Sequence, residues 1–179
     1  MNDIVQRTAG HIRTIPDFPK PGINFRDITP LLGDGPAFRD VIDHFAGVIE
    51  QEGWQPDVLV SPEARGFIFG AALAYRLGIG FIPVRKPNKL PHTTHSVEYD
   101  LEYGTDTMEM HIDALRPGQR VLLVDDLLAT GGTMGACSRL IRDHGILVEG
   151  ALFLIELDGL DGRRQLGSVP TRALLNFPA

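Results

Sequence analysis

The segment Val121-Leu122-Leu123-Val124-Asp125-Asp126-Leu127-Leu128-Ala129-Thr130-Gly131-Gly132-Thr133 admits few folds. Its first four residues are all apolar, the pattern of a strand buried on both faces, as strands of a parallel sheet covered by helices are. Two adjacent carboxylates follow at the carboxyl end of that strand. Ala129, Thr130, Gly131, Gly132 and Thr133 then form a glycine-rich loop, and a helix is expected from about 133 to 144 with Gly145 as its stop. The first N–H groups of a helix have no partner inside it and sit at the positive end of its dipole. Such a loop can hold a phosphate monoester through backbone amides and threonine hydroxyls. Glycine lets the backbone approach the anion closely.

The rest of the chain places this segment in an α/β domain. A short amphipathic helix is expected over 4–12, followed by an irregular strap in which Pro16, Pro19, Pro21 and Gly22 break any regular element up to Pro30. Phe38, Val41, Ile42, Phe45, Val48 and Ile49 recur at helical spacing between Gly35-Pro36 and Gly53. A short strand over 57–61 leads into Ser61-Pro62-Glu63, which has the cap, first-turn proline and acidic first turn of a helix running to about Gly78. Residues 81–84 read as the next buried strand, completing a βαβ crossover. Alternation returns over 96–112 around Gly104, predicting an antiparallel hairpin. A strand over 148–155 closes a second βαβ unit. A single domain of 1–179 is expected, with a hood over 1–33 and a core over 34–179 that includes a flap at about 86–112.

Composition narrows the partners. With 43% hydrophobic and 22% charged residues the chain is an ordinary globular one. The 17 Lys and Arg against 23 Asp and Glu give a net charge of −6, which opposes nucleic-acid binding by bulk charge. The longest apolar run, 66–75, is well short of the ~20 residues of a membrane-spanning helix, so no membrane role is expected. The one cysteine, Cys137, cannot close an internal disulfide and reads as a packed small side chain. With no signal-peptide pattern at the N-terminus, the cytoplasm is the expected compartment. Trp54 reads as structural, and His92 and His95 as a surface pair rather than metal ligands.

The loop at 129–133 is neither a Walker A sequence nor a dinucleotide fingerprint. Carboxylates directly before a phosphate loop suit a sugar phosphate, where they accept hydrogen bonds from vicinal hydroxyls. The strand, the acidic pair and the Thr-Gly-Gly-Thr loop together resemble the type I phosphoribosyltransferases. That resemblance implies a central, mostly parallel sheet flanked by helices, an N-terminal hood and an antiparallel flap. It also implies that Asp125 and Asp126 bind the ribose hydroxyls and that Ala129 to Thr133 bind the 5′-phosphate.

Further blocks extend the likeness. By resemblance Glu63-Ala64-Arg65-Gly66 is the diphosphate loop, with Arg65 on the leaving group and the Glu63–Ala64 peptide a candidate for a cis bond. Alone, Arg65 would equally suit a solvated helix end. Arg85, Lys86 and Lys89 form a cationic loop that could clamp a diphosphate or simply be solvated. The stretches from Phe18 to Pro30 and from Val97 to Asp106 resemble the adenine-specific branch of the family. There Phe25 would stack on the purine, main-chain groups around Asn24 and Arg26 would read its Watson–Crick edge, and Leu128 would also contact it. Without the resemblance, Phe25 could as well be a core residue. Glu102 would exchange a proton near N7 of the base, and Tyr103 would cover the reacting sugar.

The implied reaction is transfer of 5-phosphoribose from 5-phosphoribosyl 1-diphosphate to adenine, giving AMP and diphosphate in purine salvage. Mg²⁺ is expected on the diphosphate, with no direct protein ligand, and a homodimer is expected from the family. Two departures touch loop geometry and flap behaviour: Ser61-Pro62 stands where a glycine and an apolar residue are more usual, and His92-Thr93-Thr94-His95 replaces a Gly-Glu-containing segment. Two alternatives stay open. One is an enzyme of the same fold acting on guanine, xanthine or hypoxanthine; the other is a ligand sensor that kept the fold and binds a partner.

Overall fold

The computed structural model describes residues 2–100 and 105–179. The chain runs α1 (Asn2–Gly10), β1 (Arg13–Ile15), β2 (Phe25–Asp27), α2 (Thr29–Gly33), α3 (Gly35–Gln51), β3 (Val58–Pro62), α4 (Arg65–Leu77) and β4 (Gly80–Val84). It continues through β5 (Thr94–Asp100), β6 (Thr105–His111), β7 (Arg120–Leu128), α5 (Gly132–Arg142), β8 (Leu147–Asp158), α6 (Arg163–Leu166) and β9 (Thr171–Pro178). Five strands form one sheet in the order β4-β3-β7-β8-β9, and every pairing in it is parallel. The chain places its second sheet strand outside its first and then reverses direction. In an open parallel sheet, that reversal between β3 and β7 leaves a crevice at the carboxyl ends of the strands.

Alternation along the strands sorts side chains to two covered faces. Leu59, Leu122, Val124, Leu152 and Leu154 pack with Phe45, Phe69 and Leu73 of α3 and α4. Val58, Val60, Val121, Leu123 and Phe153 pack on the other face with Cys137, Leu140 and Ile141 of α5 and with Tyr99, Met108 and Met110 of the β5–β6 hairpin. The hairpin is therefore part of one core as well as a flap. Cys137 is fully buried, and burial raises its thiol far above the usual range. Trp54 packs where Gly150 has no side chain; a Cβ there would lie 2.5 Å from the indole.

The βαβ units and the hairpin follow the sequence pattern, but three expectations need correction. Ser61 and Pro62 do not open a helix: β3 continues through them, with Ser61 opposite Pro83 and Pro62 opposite Val84. The first cap residue of α4 is Ala64, which has no side-chain cap, and the Glu63–Ala64 peptide is cis. Pairing with β4 overrides the local cap signal, and Pro62 is tolerated because pairing to β7 has ended at Val60. The strap of 16–30 is not wholly irregular, since β2 pairs antiparallel with β1. Finally, β7 runs past the expected end at Val124 to Leu128, with the two carboxylates near its carboxyl end as expected.

Candidate active site

A cleft of about 260 Å³ opens at the reversal point, lined by Glu63, Ala64 and Arg65 after β3 and by residues 125–134 at the end of β7 and the start of α5. Close backbone approach makes the two sides meet. At Gly66 a Cβ would lie 2.8 Å from Asp125 Oδ1 and 3.2 Å from the Val124 carbonyl, so only glycine lets α4 start this near β7.

The loop at 129–133 is shaped by Gly131, which has φ of 80° and caps α5 without any side-chain hydrogen bond. The first-turn amides of α5 are thus not taken by a side-chain cap and can receive an anion. Gly131 and Gly162 also brace the loop from behind. A Cβ on Gly131 would sit 2.2 Å from the Gly162 carbonyl oxygen, and one on Gly162 would sit 2.2 Å from that of Ala129. Gly162 carried no signal in the sequence, because its role is contact with a loop thirty residues away. Leu127 and Met134 also line the cleft and were missed for lack of any chemical pattern.

Asp125 and Asp126 are held where charge is costly. Burial, followed by the neighbouring Asp126 charge, pushes the Asp125 carboxyl well above its ordinary 3.8. Burial also raises Asp126, against the pull of Arg65, whose Nε lies 3.0 Å from Asp126 Oδ2. Asp125 Oδ1 accepts a hydrogen bond from the Asp126 N–H at 2.8 Å. Carboxylate oxygens held at the cleft can accept hydrogen bonds from a diol.

The hood meets the cleft through Arg65, whose guanidinium stands 5.3 Å from the centroid of the Phe25 ring. Phe25 is partly exposed and takes an edge contact from Phe18 at 5.1 Å. Asn24 is exposed. The Arg26 side chain is turned away, donating to Thr14 Oγ1 at 2.6 Å and to the Pro178 carbonyl at 2.8 Å, with its guanidinium over Phe177. Only its main chain is left to face a ligand. Leu128 is buried in the cleft wall.

The cationic loop is placed differently from the other candidates. Arg85 donates to Glu63 Oε2 at 2.7 Å and to the Lys89 carbonyl at 3.2 Å, so it stands beside the cleft through Glu63. Lys86 pairs with Asp106 on the hairpin at 3.0 Å, and Lys89 is exposed. None of the three lines the cleft itself. Glu102 and Tyr103 lie outside the described residues. His92 and His95 face other histidines, His111 and His144.

Known proteins bear on this geometry. Residues 31–163 match the family described as the phosphoribosyl transferase domain. An adenine phosphoribosyltransferase of Desulfitobacterium hafniense is 55% identical over 167 residues, covering 93% of this chain and 95% of that protein. The crystal structure of the adenine phosphoribosyltransferase from Thermoanaerobacter pseudethanolicus superposes with a TM-score of 0.93 at 53% identity, over 97% of this chain and 99% of that one. The Saccharomyces cerevisiae enzyme, solved with an imino-altritol bisphosphate and adenine, gives a TM-score of 0.93 at 36% identity, over 98% and 100%. Similarity of this extent spans hood, flap and core together, and the chain belongs to the adenine phosphoribosyltransferase family.

Proposed function

We infer that the cleft between β3 and β7 is where this chain carries out its family's reaction, transfer of 5-phosphoribose from 5-phosphoribosyl 1-diphosphate to adenine, yielding AMP and diphosphate for purine salvage. The observation that carries this assignment is the pair Asp125–Asp126 set between an amide-lined loop at 129–133 and Arg65. The loop suits the 5′-phosphate, and the carboxylates suit the ribose 2- and 3-hydroxyls. Glu63, Ala64 and Arg65 suit the leaving diphosphate, with Arg85, Lys86 and Lys89 as cations that can turn to it from beside the cleft.

In the transfer the purine nitrogen forms a bond to C1 of the ribose while the bond from C1 to the diphosphate oxygen breaks, inverting that carbon. Positive charge builds on the ribose ring, so the chain's part is mainly positioning and electrostatics. Phe25 offers a ring on which the base stacks, backbone groups at Asn24 and Arg26 read its edge, and Leu128 closes the apolar side. Glu102 takes the proton the base loses, through N7, and Tyr103 covers the sugar; both roles rest on the family likeness.

The donor set fits Mg²⁺. Asp125 and Asp126 are hard oxygen donors at the cleft, suited to meet the ion directly or through its water while substrate oxygens hold the rest. When bound, Mg²⁺ neutralises charge on the leaving diphosphate. A cytoplasmic homodimer completes the reading, supported by the family likeness.

The test is to supply purified protein with Mg²⁺, 5-phosphoribosyl 1-diphosphate and each purine base in turn. AMP from adenine alone is the expected result. A nucleotide from guanine, xanthine or hypoxanthine instead keeps the sugar site and overturns the hood assignment. Binding of the sugar diphosphate with no turnover of any base favours a sensor.

A further inference from the structure

Tyr99 is buried, at 6% exposure, in the core formed beneath the flap. Its ring belongs to β5, opposite Asp106 on β6. Its hydroxyl stands between two partners, 3.4 Å from Asp106 Oδ2 and 3.4 Å from Thr133 Oγ1. Thr133 lines the cleft in the phosphate loop. Asp106 Oδ2 also holds Lys86 Nζ at 3.0 Å, while Oδ1 accepts from the Thr107 N–H at 2.9 Å. A row of four side chains therefore connects the loop at 129–133 to the cationic loop across the hairpin, one pair from the last pairing of β5 with β6. The backbone adds a second tie, since Arg85 and Glu109 exchange N–H to carbonyl bonds at 2.9 and 2.7 Å.

We propose that Tyr99 is a positioning residue that sets the Thr133 hydroxyl for the 5′-phosphate and, through Asp106, links occupation of the phosphate loop to Lys86. The proposal rests on the assignment of the loop at 129–133 to phosphate. Proton placement gives it direction. A phenol has one proton, and the carboxylate of Asp106 is the stronger acceptor of the two neighbours. Thr133 then directs its own proton to the Tyr99 oxygen when no anion is present. An arriving phosphate draws the Thr133 proton to itself, leaving the Tyr99 hydroxyl free to turn and donate to Thr133. Both contacts are longer than the about 2.7–2.8 Å of a well-formed hydroxyl bond, so a shift of a few tenths of an ångström strengthens one and weakens the other. Burial keeps the phenol protonated to higher pH than usual, as a donor must be. Turning Tyr99 away from Asp106 leaves Oδ2 of that carboxylate to Lys86, with Oδ1 still held by the Thr107 N–H.

Tyr99→Phe removes the hydroxyl and keeps the ring. Affinity for ribose 5-phosphate, measured by calorimetry on the full chain, is expected to fall about fivefold, the worth of one neutral hydrogen bond. The KM for 5-phosphoribosyl 1-diphosphate is expected to rise by a similar factor, with the KM for adenine and the thermal midpoint little changed. In a Thr133→Val background, or Thr133→Ala where valine does not fold, Tyr99→Phe is expected to add no further loss, because the hydroxyl it acts on is gone. An unaltered affinity in the single variant overturns the proposal. So does full additivity of the two substitutions, which would mark Tyr99 as packing only. If the wild-type chain binds ribose 5-phosphate and shows this coupling but forms no AMP, the reaction assignment falls and the positioning role stands. If it does not bind ribose 5-phosphate, the phosphate assignment falls first.

Discussion

Asp125 and Asp126, proposed to bind the ribose, are placed at a cost in stability. Each would be cheaper as a neutral side chain, since burial raises both carboxyls above their ordinary value of 3.8. For an acid raised on folding, the folded state binds the proton more tightly than the unfolded chain does. The destabilisation is absent below the ordinary value, grows as pH rises toward the raised values, and is complete above them. Asp125→Asn is accordingly expected to raise the thermal midpoint of the ligand-free chain at pH 8, with the gain shrinking toward zero as the pH falls to the ordinary carboxylate range. The same variant is expected to lower kcat/KM for the sugar diphosphate by about 10- to 100-fold, the worth of a hydrogen bond to a charged group. Melting curves at several pH values and steady-state kinetics check the two halves separately. For Phe25→Ala the expected change is a KM for adenine higher by about 1–3 kcal/mol in free-energy terms, with the sugar diphosphate little affected. Equal changes in both KM values would place Phe25 in the fold rather than under the base. The acidic pair stands out in the sequence because it carries its chemistry in its own side chains, whereas Phe25 is singled out only by the family likeness. The Lys86–Asp106 pair does not stand out, because it joins residues twenty apart that the bridge of Arg85 to Glu109 on β6 brings near.

At the level of elements, the phosphate loop depends on a turn that never touches a ligand. Gly162 precedes α6 and presses on the carbonyl of Ala129, where a Cβ would intrude to 2.2 Å. Because that neighbour is backbone, the loop itself must move. Gly162→Ala is therefore expected to raise the KM for the sugar diphosphate on the order of 10- to 100-fold, as a displacement near 1 Å at a binding loop does, while leaving the adenine KM nearly unchanged. Steady-state kinetics with each substrate varied in turn check this. Four of the five sheet strands, β3, β4, β7 and β8, and the bodies of α3–α5 are legible because burial on two faces, or on one helical stripe, writes itself into residue order. The pair β1–β2 was hidden, since three residues per strand carry no period. It is held by contacts remote in sequence, such as Arg13 Nη2 to Asp27 Oδ2 at 2.9 Å. The start of α4 was misread because Ser61-Pro62 carries a helix-opening signal that pairing with β4 overrules. Ser61 Oγ is buried with no hydrogen-bond partner, the residue of that conflict between local and tertiary preference.

Across the whole molecule, the N-terminal hood, proposed to hold the base, is fastened to the far edge of the sheet. Arg26 reaches from β2 to the Pro178 carbonyl at the end of β9, lies over Phe177, and is 8% exposed. Arg26→Met, which keeps much of the bulk, is expected to loosen this seat by roughly 2 kcal/mol, the scale of charge-assisted hydrogen bonds. Amide hydrogen exchange is then expected to speed up over 13–27 while the sheet stays protected, and the KM for adenine to rise with that for the sugar diphosphate little changed. Uniformly faster exchange would show instead that Arg26 supports the entire fold. Nothing in the sequence pointed to this fastening, which depends on β9, a strand not distinguished in the residue pattern. The same contact has a consequence for the order in which the protein is made. Arg26 leaves the ribosome 152 residues ahead of its partner, and at about 5–20 residues per second that is roughly 8 to 30 s. Through that interval the strands before β9 can form, but the hood has no β9 to rest on, and the brace of Gly162 on the loop at 129–133 also arrives only shortly before Pro178. The hood, though made first, is therefore among the last parts of the chain to be fastened.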